Sequence, residues 1–310
     1  MPKTALIIGG GIAGCVAALT LSKLGIYCTI YELRDVPATI GGAVNLTPNA
    51  LKILNDLEVE ISGCRVDSIE LFSLHTGSKV GELSFRGPSG PSKRVERRIL
   101  QKGLLNAVEK AAVKVVYGAK LVGIEELEGD KLRVRFENGT SAEADFVVGC
   151  DGMYSAVRMS YVEPERKLLY TGVCTAYSIV EKEGIQSEIH FQQTAVNVSR
   201  FGALMTSYTD PERTNVYLAA VMETQEQGSK EGWKARGLDR ERTLKEVQRR
   251  YTGSAFPCLP ELIAKVKDWI FYPVCLLGPG GKWSRERVVI IGDAAHGVCC
   301  HHHILLVCGS

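Results

Sequence analysis

Hydrophobic and polar positions along the first third of the chain predict strand, glycine turn, helix, strand. Ala5–Ile8 is a short apolar run that stops at Gly9. From Ile12, the apolar residues Val16, Leu19 and Leu24 recur at helical spacing, and Gly25 is a stop signal. Tyr27–Leu33 reads as a second strand that ends at Glu32. After the Gly41-Gly42 loop, residues Pro48 to Leu57 start another helix. Arg65–Phe85 alternates around His75-Thr76-Gly77-Ser78 and predicts a hairpin, followed by a Gly/Pro loop over 87–91. Leu100, Leu104, Val108 and Ala112 form a helical stripe. Short strands follow at Val113–Tyr117, Lys120–Glu128, Lys131–Glu137 and Ala144–Gly149. Leu168 to Met222 carries longer strands, Leu244–Tyr251 and Leu259–Lys267 look helical, and Arg287–Ile291 is a last buried strand.

The change from βαβ pattern to a strand-rich middle, then back to a parallel-type strand, implies an α/β fold with one domain inserted in another. The expected architecture is a Rossmann-like dinucleotide domain built from 1–64, 96–160 and 281–310. The expected inserted, strand-rich substrate domain comprises 65–95 and 161–280. A length of 310 residues fits two domains.

Composition narrows the function. With 45% hydrophobic and 23% charged residues, the chain is ordinary globular protein, and disordered or coiled-coil classes are excluded. A net charge of +2 gives no basic field for nucleic acid or an acidic membrane. Ten cysteines without a C-x-x-C pair fit reduced thiols and a cytoplasmic location. The stretch Ala5 to Leu21 is apolar enough to imitate a membrane helix. Gly9, Gly10 and Gly11 argue against one, since each costs a helix interior about 1 kcal/mol. Cys299, Cys300 and His301–His303 are metal-capable types, but their adjacency gives no usual ligand spacing, so no metal site is expected.

Three turns carry chemistry. Gly9-Gly10-Gly11-Ile12-Ala13-Gly14 has the form G-x-G-x-x-G, in the strand-to-helix context the motif needs. Gly9 permits the tight turn, Gly11 lets a pyrophosphate approach the backbone, and Gly14 allows close helix–strand packing. The N–H groups at Ile12 and Ala13 open the helix toward the phosphates. Glu32 is placed to accept from an adenosine ribose, which suits FAD or NAD; Arg34 leaves room for an NADP 2′-phosphate. The second turn is Asp151-Gly152, followed by Arg158; it can turn sharply and present backbone amides, and Asp151 is expected at the cofactor. The third is Gly292-Asp293-Ala294-Ala295-His296, in which Asp293 ends a strand and can accept ribityl hydroxyls while the alanines admit a cofactor close to the backbone.

In this order, the three motifs resemble the group A flavin-dependent aromatic monooxygenases, the single-component hydroxylases that include the p-hydroxybenzoate, salicylate and kynurenine enzymes. The likeness runs from Lys3 to His296. Gly41-Gly42-Ala43-Val44-Asn45-Leu46-Thr47-Pro48-Asn49-Ala50 is similar to the family's loop beside the flavin ring, and Asp268–Val274 is similar to fungal members. Arg97, with Leu100, Gln101 and Leu104, matches the family's cofactor-contacting helix start; Arg98 is one position out of that register. Lys93, Arg94, Arg97 and Arg98 also crowd a helix N-terminus, where the dipole disfavours cations unless an anion sits nearby.

The resemblance implies bound FAD, NADPH or NADH as transient reductant, O₂, and a small aromatic substrate hydroxylated through a flavin C4a-hydroperoxide. Tyr170, Tyr177, His190, Tyr208 and Tyr217 are candidate pocket residues in the strand-rich middle. No substrate base is assigned. After His296 the family continues with a proline loop, a G-x-G turn and a helix. Here the chain reads Gly297 to Ser310 without them, so a C-terminally shortened and poorly coupled hydroxylase is expected. The competing readings are an FAD-dependent dehydrogenase or reductase, and a catalytically silent FAD-binding remnant.

Overall fold

The computed structural model describes residues 2–37, 41–85 and 90–297. Most of the Gly/Pro loop at 87–91, and the tail after Gly297, lie outside these residues. In chain order the elements are β1 (Thr4–Ile8), α1 (Ile12–Lys23), β2 (Tyr27–Tyr31), β3 (Ala43–Leu46), α2 (Pro48–Asp56), β4 (Cys64–Val66), β5 (Ser68–Ser73), β6 (Lys79–Ser84), β7 (Ser92–Glu96) and α3 (Arg97–Lys110). Then come β8 (Lys114–Val116), β9 (Leu121–Leu127), β10 (Lys131–Phe136), β11 (Ser141–Ala144), β12 (Phe146–Gly149) and a π-helical turn, Arg158–Val162. The rest are β13 (Leu168–Glu181), β14 (Thr194–Ser199), β15 (Gly202–Tyr208), β16 (Asn215–Glu223), α4 (Lys230–Leu238), α5 (Arg240–Tyr251), α6 (Cys258–Ala264), β17 (Ile270–Leu277), β18 (Ser284–Arg285), β19 (Val288–Ile290) and α7 (Asp293–His296).

Two large sheets organise the molecule. The first has the order β18-β19-β12-β1-β2-β8 and is parallel except at β18. Its central strand β1 is a continuous apolar run, as a strand covered on both faces must be. Helices α1 and α3 pack on one face through Cys15, Ala18, Leu19, Leu100 and Leu104. The antiparallel sheet β11-β10-β9 supplies Leu132, Val134 and Phe136 to the other.

The second large sheet, β17-β13-β16-β15-β14-β5-β6, is antiparallel except where β14 runs beside β5. One face buries Leu204, Leu218, Ala220 and Met222 against Val247 and Tyr251 of α5 and Leu259 and Leu262 of α6. The other face carries Val196, Met205, Tyr217 and Ala219 and packs on Ala43 and Val66 of a third small sheet, β3-β7-β4.

The chain reaches the parallel sheet from four separated segments: residues 4–31, 114–116, 146–149 and 284–290. Within 65–95, β5 and β6 join the large antiparallel sheet, whereas β4 and β7 pair with β3. The predicted hairpin is β5–β6. Strands β7 and β17 and helix α4 carried no clear periodic signal. In β7 the buried positions are Ser92, Arg94, Val95 and Glu96, so polar and charged side chains stand where an apolar alternation would have marked a strand. Among the described residues no helix is long and apolar enough to cross a membrane, and the apolar stretch from Ala5 breaks at the glycine turn. The seven described cysteines are unbridged, and no cluster of metal-ligating side chains forms among the described residues.

Candidate functional site

The glycine turn is shaped for a close-approaching ligand. Gly9 has φ +108°, and a Cβ there would lie 2.5 Å from the Cys150 carbonyl oxygen. A Cβ on Gly14 would lie 1.9 Å from the Gly9 carbonyl oxygen, so helix α1 starts against the turn with no room for a side chain. Gly11 is the opposite case: a Cβ there meets nothing within 4 Å. The backbone at Gly11 therefore faces open space, at the N-terminus of a helix whose first N–H groups, at Ile12 and Ala13, have no side-chain cap. Unpaired donors and the positive dipole end point into that space, the physical requirement for holding a pyrophosphate.

Glu32 stands beside the turn. Its carboxylate accepts from the Gly10 N–H at 2.7 Å and from the Arg34 N–H at 3.0 Å, which fixes its orientation and leaves lone pairs for further donors. Gln101, on α3, donates to the Gly10 carbonyl at 2.7 Å and ties the helix to the turn. At the start of α3 the two arginines separate. Arg98 pairs with Glu96 at 2.5 Å, and Glu96, 4% exposed, also accepts from the Thr209 hydroxyl. The Arg97 guanidinium is exposed and makes no ion pair or hydrogen bond among the described residues; its backbone N–H donates to the Gly42 carbonyl.

The other two motifs converge on the same place. The Gly9 turn abuts Cys150 and Asp151, and Gly292 lies where a Cβ would stand 3.0 Å from the Ala13 Cβ. Asp293, at the start of α7, is exposed. Asp151 points inward instead: it accepts from the Ser155 hydroxyl at 2.5 Å and the Val157 N–H at 3.1 Å, and burial raises its carboxyl above the usual range. Arg158, 1% exposed, donates to the Ala294 carbonyl at 2.7 Å and the Met153 carbonyl at 2.6 Å. Arg166 donates to the Ala295 carbonyl at 3.0 Å. Two arginines thus hold the C-terminal carbonyls of α7 and lock the third motif to the second, a role that sequence left open.

Beside these turns lies the inner face of the large antiparallel sheet. The Gly41-Gly42 loop rests on it: a Cβ on Gly42 would meet the Tyr177 ring at 3.0 Å, and one on Gly41 would meet Ile270 at 3.5 Å. A cavity of about 260 Å³ opens beside this loop, lined by Glu96, Arg98, Ser178 and Ile270 among others. Tyr272 keeps 40% of its surface exposed, yet desolvation of its phenol pushes it up to about 12, with Tyr154 and Asp293 near enough to add to the shift. Of the five candidate pocket residues, Tyr177 and Tyr217 are on this inner face. Tyr208 belongs to the core on the far side. His190 stacks on Phe256 there and bonds Asn197 and Cys258; burial lowers its pKa. Tyr170 packs on Trp233 of α4 and donates to the Thr224 carbonyl. Two further polar groups, the Asn45 side-chain oxygen and the Thr175 hydroxyl, are buried without a hydrogen-bond partner among the described residues. Their strands read as ordinary, and nothing in the sequence singled them out.

Comparison with known proteins agrees with this arrangement. Residues 3–301 match the family described as FAD binding domain. The 3-amino-4-hydroxybenzoate 2-monooxygenase PtmB3 of Streptomyces platensis is 29% identical over 303 residues, covering 94% of this chain and 72% of the relative. The 3-hydroxybenzoate 6-hydroxylase of Klebsiella oxytoca is 26% identical over 304 residues, covering 95% and 74%. The crystal structure of Klebsiella pneumoniae HpxO complexed with FAD and uric acid superposes with a TM-score of 0.79 at 23% identity, covering 95% of this chain and 73% of that one, and shows the shared fold. With open space at the Gly11 backbone, a fixed carboxylate at Glu32 and a family match over nearly its whole length, the chain belongs to the FAD-binding-domain family of flavoproteins, and FAD is its cofactor.

Proposed function

We propose that this protein is an FAD-dependent monooxygenase that inserts one oxygen atom of O₂ into a small aromatic substrate, with NADPH or NADH as electron donor. The observation that carries the reading is the convergence of three chain-distant turns, at Gly9, Cys150 and Gly292, beside a buried sheet face that carries tyrosines. Bound FAD supplies acceptance of two electrons from the nicotinamide and activation of O₂. The division into an FAD unit (1–64, 96–160, 281–310) and a substrate unit (65–95, 161–280) is part of this reading.

The chain's own residues then have separate tasks. The N–H groups at Gly11, Ile12 and Ala13 cradle the pyrophosphate, and Arg97 supplies its counter-charge. Glu32 orients the adenosine ribose, with Arg34 contributing the N–H that holds it in place. Gln101 keeps α3 on the glycine turn. Asp293 accepts from ribityl hydroxyls. Asp151 acts indirectly, by fixing the turn that carries Arg158. The inner sheet face and the Gly41-Gly42 loop exclude water from the ring-binding space.

The test is turnover under ¹⁸O₂ with a panel of phenols and hydroxylated heteroaromatics, with reduced-nicotinamide consumption, peroxide and product measured together. One ¹⁸O atom per product molecule is expected. Oxidation of the ring substrate with no label incorporated identifies an FAD-dependent dehydrogenase instead. FAD occupancy with no NAD(P)H oxidation by any pairing identifies a binding protein.

A further inference from the structure

Helix α3 turns two neighbouring faces to two different places. Arg97 and Gln101 stand four residues apart and share a face. Gln101 donates to the Gly10 carbonyl, so that face looks at the glycine turn. Arg98 and Lys102 are the next such pair, about 100° further round the helix. Arg98 forms part of the wall of the cavity beside the Gly41-Gly42 loop.

Arg98 is held in place for an anion. Its Nε donates to Glu96 at 2.5 Å, and Glu96, 4% exposed, is itself fixed by the Thr209 hydroxyl. The N–H groups on the two Nη atoms have no partner among the described residues, and with the side chain 70% exposed they are open to a ligand. Lys102, one turn along, is exposed and forms no ion pair among the described residues. Two cations share this face with one carboxylate, which leaves net positive charge for a ligand. The cavity, about 260 Å³, is smaller than the roughly 300–1,000 Å³ that encloses a whole drug-sized molecule, so it fits one end of a longer one. Its other walls set the apolar Ile179 and Ile270 beside the polar Ser178 and Asn215, a lining matched to a flat ring that carries an amide.

We propose that this cavity and the Arg98–Lys102 face form the docking site of the nicotinamide electron donor: its nicotinamide end enters beside the Gly41-Gly42 loop, and Arg98 and Lys102 hold its phosphates. This rests on the monooxygenase reading for the need of such a donor, and it adds where the donor binds. The chain carries one G-x-G-x-x-G turn, which serves FAD, so a second dinucleotide has to be held by other means. The Arg98 fork can take two phosphate oxygens at once. Both cations stand at the surface, where salt screens them. Binding of that strength suits a donor that must leave in every turnover.

The FAD-loaded wild type, Arg98→Gln and Lys102→Glu are titrated with NADP⁺ and NAD⁺ by calorimetry, and bleaching of the flavin by NADPH and NADH is followed without O₂. Arg98→Gln should weaken nucleotide binding, and raise the donor concentration that half-saturates bleaching, about tenfold, the loss of one charged hydrogen bond. Lys102→Glu should weaken both about threefold or more, with the larger effect at low salt. The bleaching rate at saturation should stay within about twofold, since only binding is altered. FAD content should match the wild type in both variants, in contrast to Arg97→Ala. Arg98→Gln also leaves the buried Glu96 with one partner fewer; should that variant lose FAD, Lys102→Glu decides, because its side chain has no described ion pair to break. A loss confined to NADPH means that the cations hold the 2′-phosphate, and an equal loss with NADH means that they hold the pyrophosphate; either upholds the site. Unchanged nucleotide affinity in the variants overturns the inference and leaves the monooxygenase reading standing. So does a fall in the saturating rate without a change in affinity. A wild-type flavin that neither donor bleaches removes the reading itself.

Discussion

At the scale of single residues, the glycine turn separates folding from ligand binding. Gly11 and Gly14 belong to one motif, yet a side chain would meet different things at each. Valine at Gly11 projects into open space, so the apoprotein should keep its thermal midpoint while FAD binding is lost. Alanine at Gly14 collides with the Gly9 carbonyl oxygen at 1.9 Å. It should destabilise the apoprotein itself by ~1–3 kcal/mol, the usual cost of overpacking. Apo melting curves and FAD titration of the two variants check both halves; a destabilised Gly11→Val apoprotein would mean that the turn is closed. The arginine pair follows the same logic. Arg98 is paired with Glu96, whereas the Arg97 guanidinium has no partner among the described residues. Arg97→Ala should weaken FAD by ~1.5–3 kcal/mol, the range for a charged hydrogen bond, and Arg98→Ala by much less. Equal losses in a flavin titration would place the pyrophosphate elsewhere.

At the scale of elements, the buried Arg158 connects two turns separated by more than a hundred residues. Its donors serve the Met153 and Ala294 carbonyls, one on each turn. Arg158→Met fits the space but leaves those carbonyls unpaired, at about 1–3 kcal/mol for each buried group. FAD should dissociate faster and the melting temperature should fall. Arg158→Lys should restore little of either, because one ammonium cannot reproduce a planar fork reaching both carbonyls. Retention of FAD at wild-type level by Arg158→Met would separate the third motif from this anchor. The sequence made the turns legible because each is local: a buried apolar strand, a glycine, then a helix start. It left the anchor illegible because Arg158 acts on a carbonyl 136 positions away, and carbonyls carry no side-chain signature. The same distance effect hid β7, whose inward Arg94 and Glu96 are made tolerable by partners far along the chain, such as Met205 on β15 and Thr209 just after it. His190 misled in the opposite way: a titratable ring in the strand-rich middle looked available for chemistry, but it lies in the rear core with a lowered pKa.

At the scale of the whole molecule, the carboxylates set how the fold answers acid. Asp145, between β11 and β12, ties them to two other strands: it accepts from the N–H and hydroxyl of Thr4 at the start of β1, and from Lys131 of β10 at 2.8 Å. The Lys131 bond, followed by those from Thr4, holds its carboxyl far below the ordinary value. Asp210, just after β15, and Glu246, on α5, are also lowered, by Thr214 and Asn215 and by Arg249 and Arg250, against a desolvation that pulls the other way. A carboxyl with a depressed pKa in the fold contributes stability that is fully present above its unfolded value, near 4. That stability is lost as pH falls toward the folded value. Asp151 has the reverse sign: burial raises its pKa, so its protonated form favours the fold, and that preference fades as pH rises past the unfolded value. Among the described carboxyls Asp145, Asp210, Glu246 and Glu261 are lowered and Asp151 is raised, which predicts a denaturation midpoint that falls between pH 5 and pH 3. Replacing Asp145 with Asn should flatten that fall, because a group that no longer titrates cannot lose its contribution. It should also lower the midpoint at neutral pH, where the Lys131 and Thr4 bonds to a full charge are gone. Replacing Asp151 with Asn should steepen the fall by removing the one opposing group. Urea titrations of the three proteins across this range measure both slopes. A wild-type midpoint independent of pH, or an Asp145→Asn slope as steep as the wild type's, would show that the strand-end carboxylate does not couple β1 to the sheets around it.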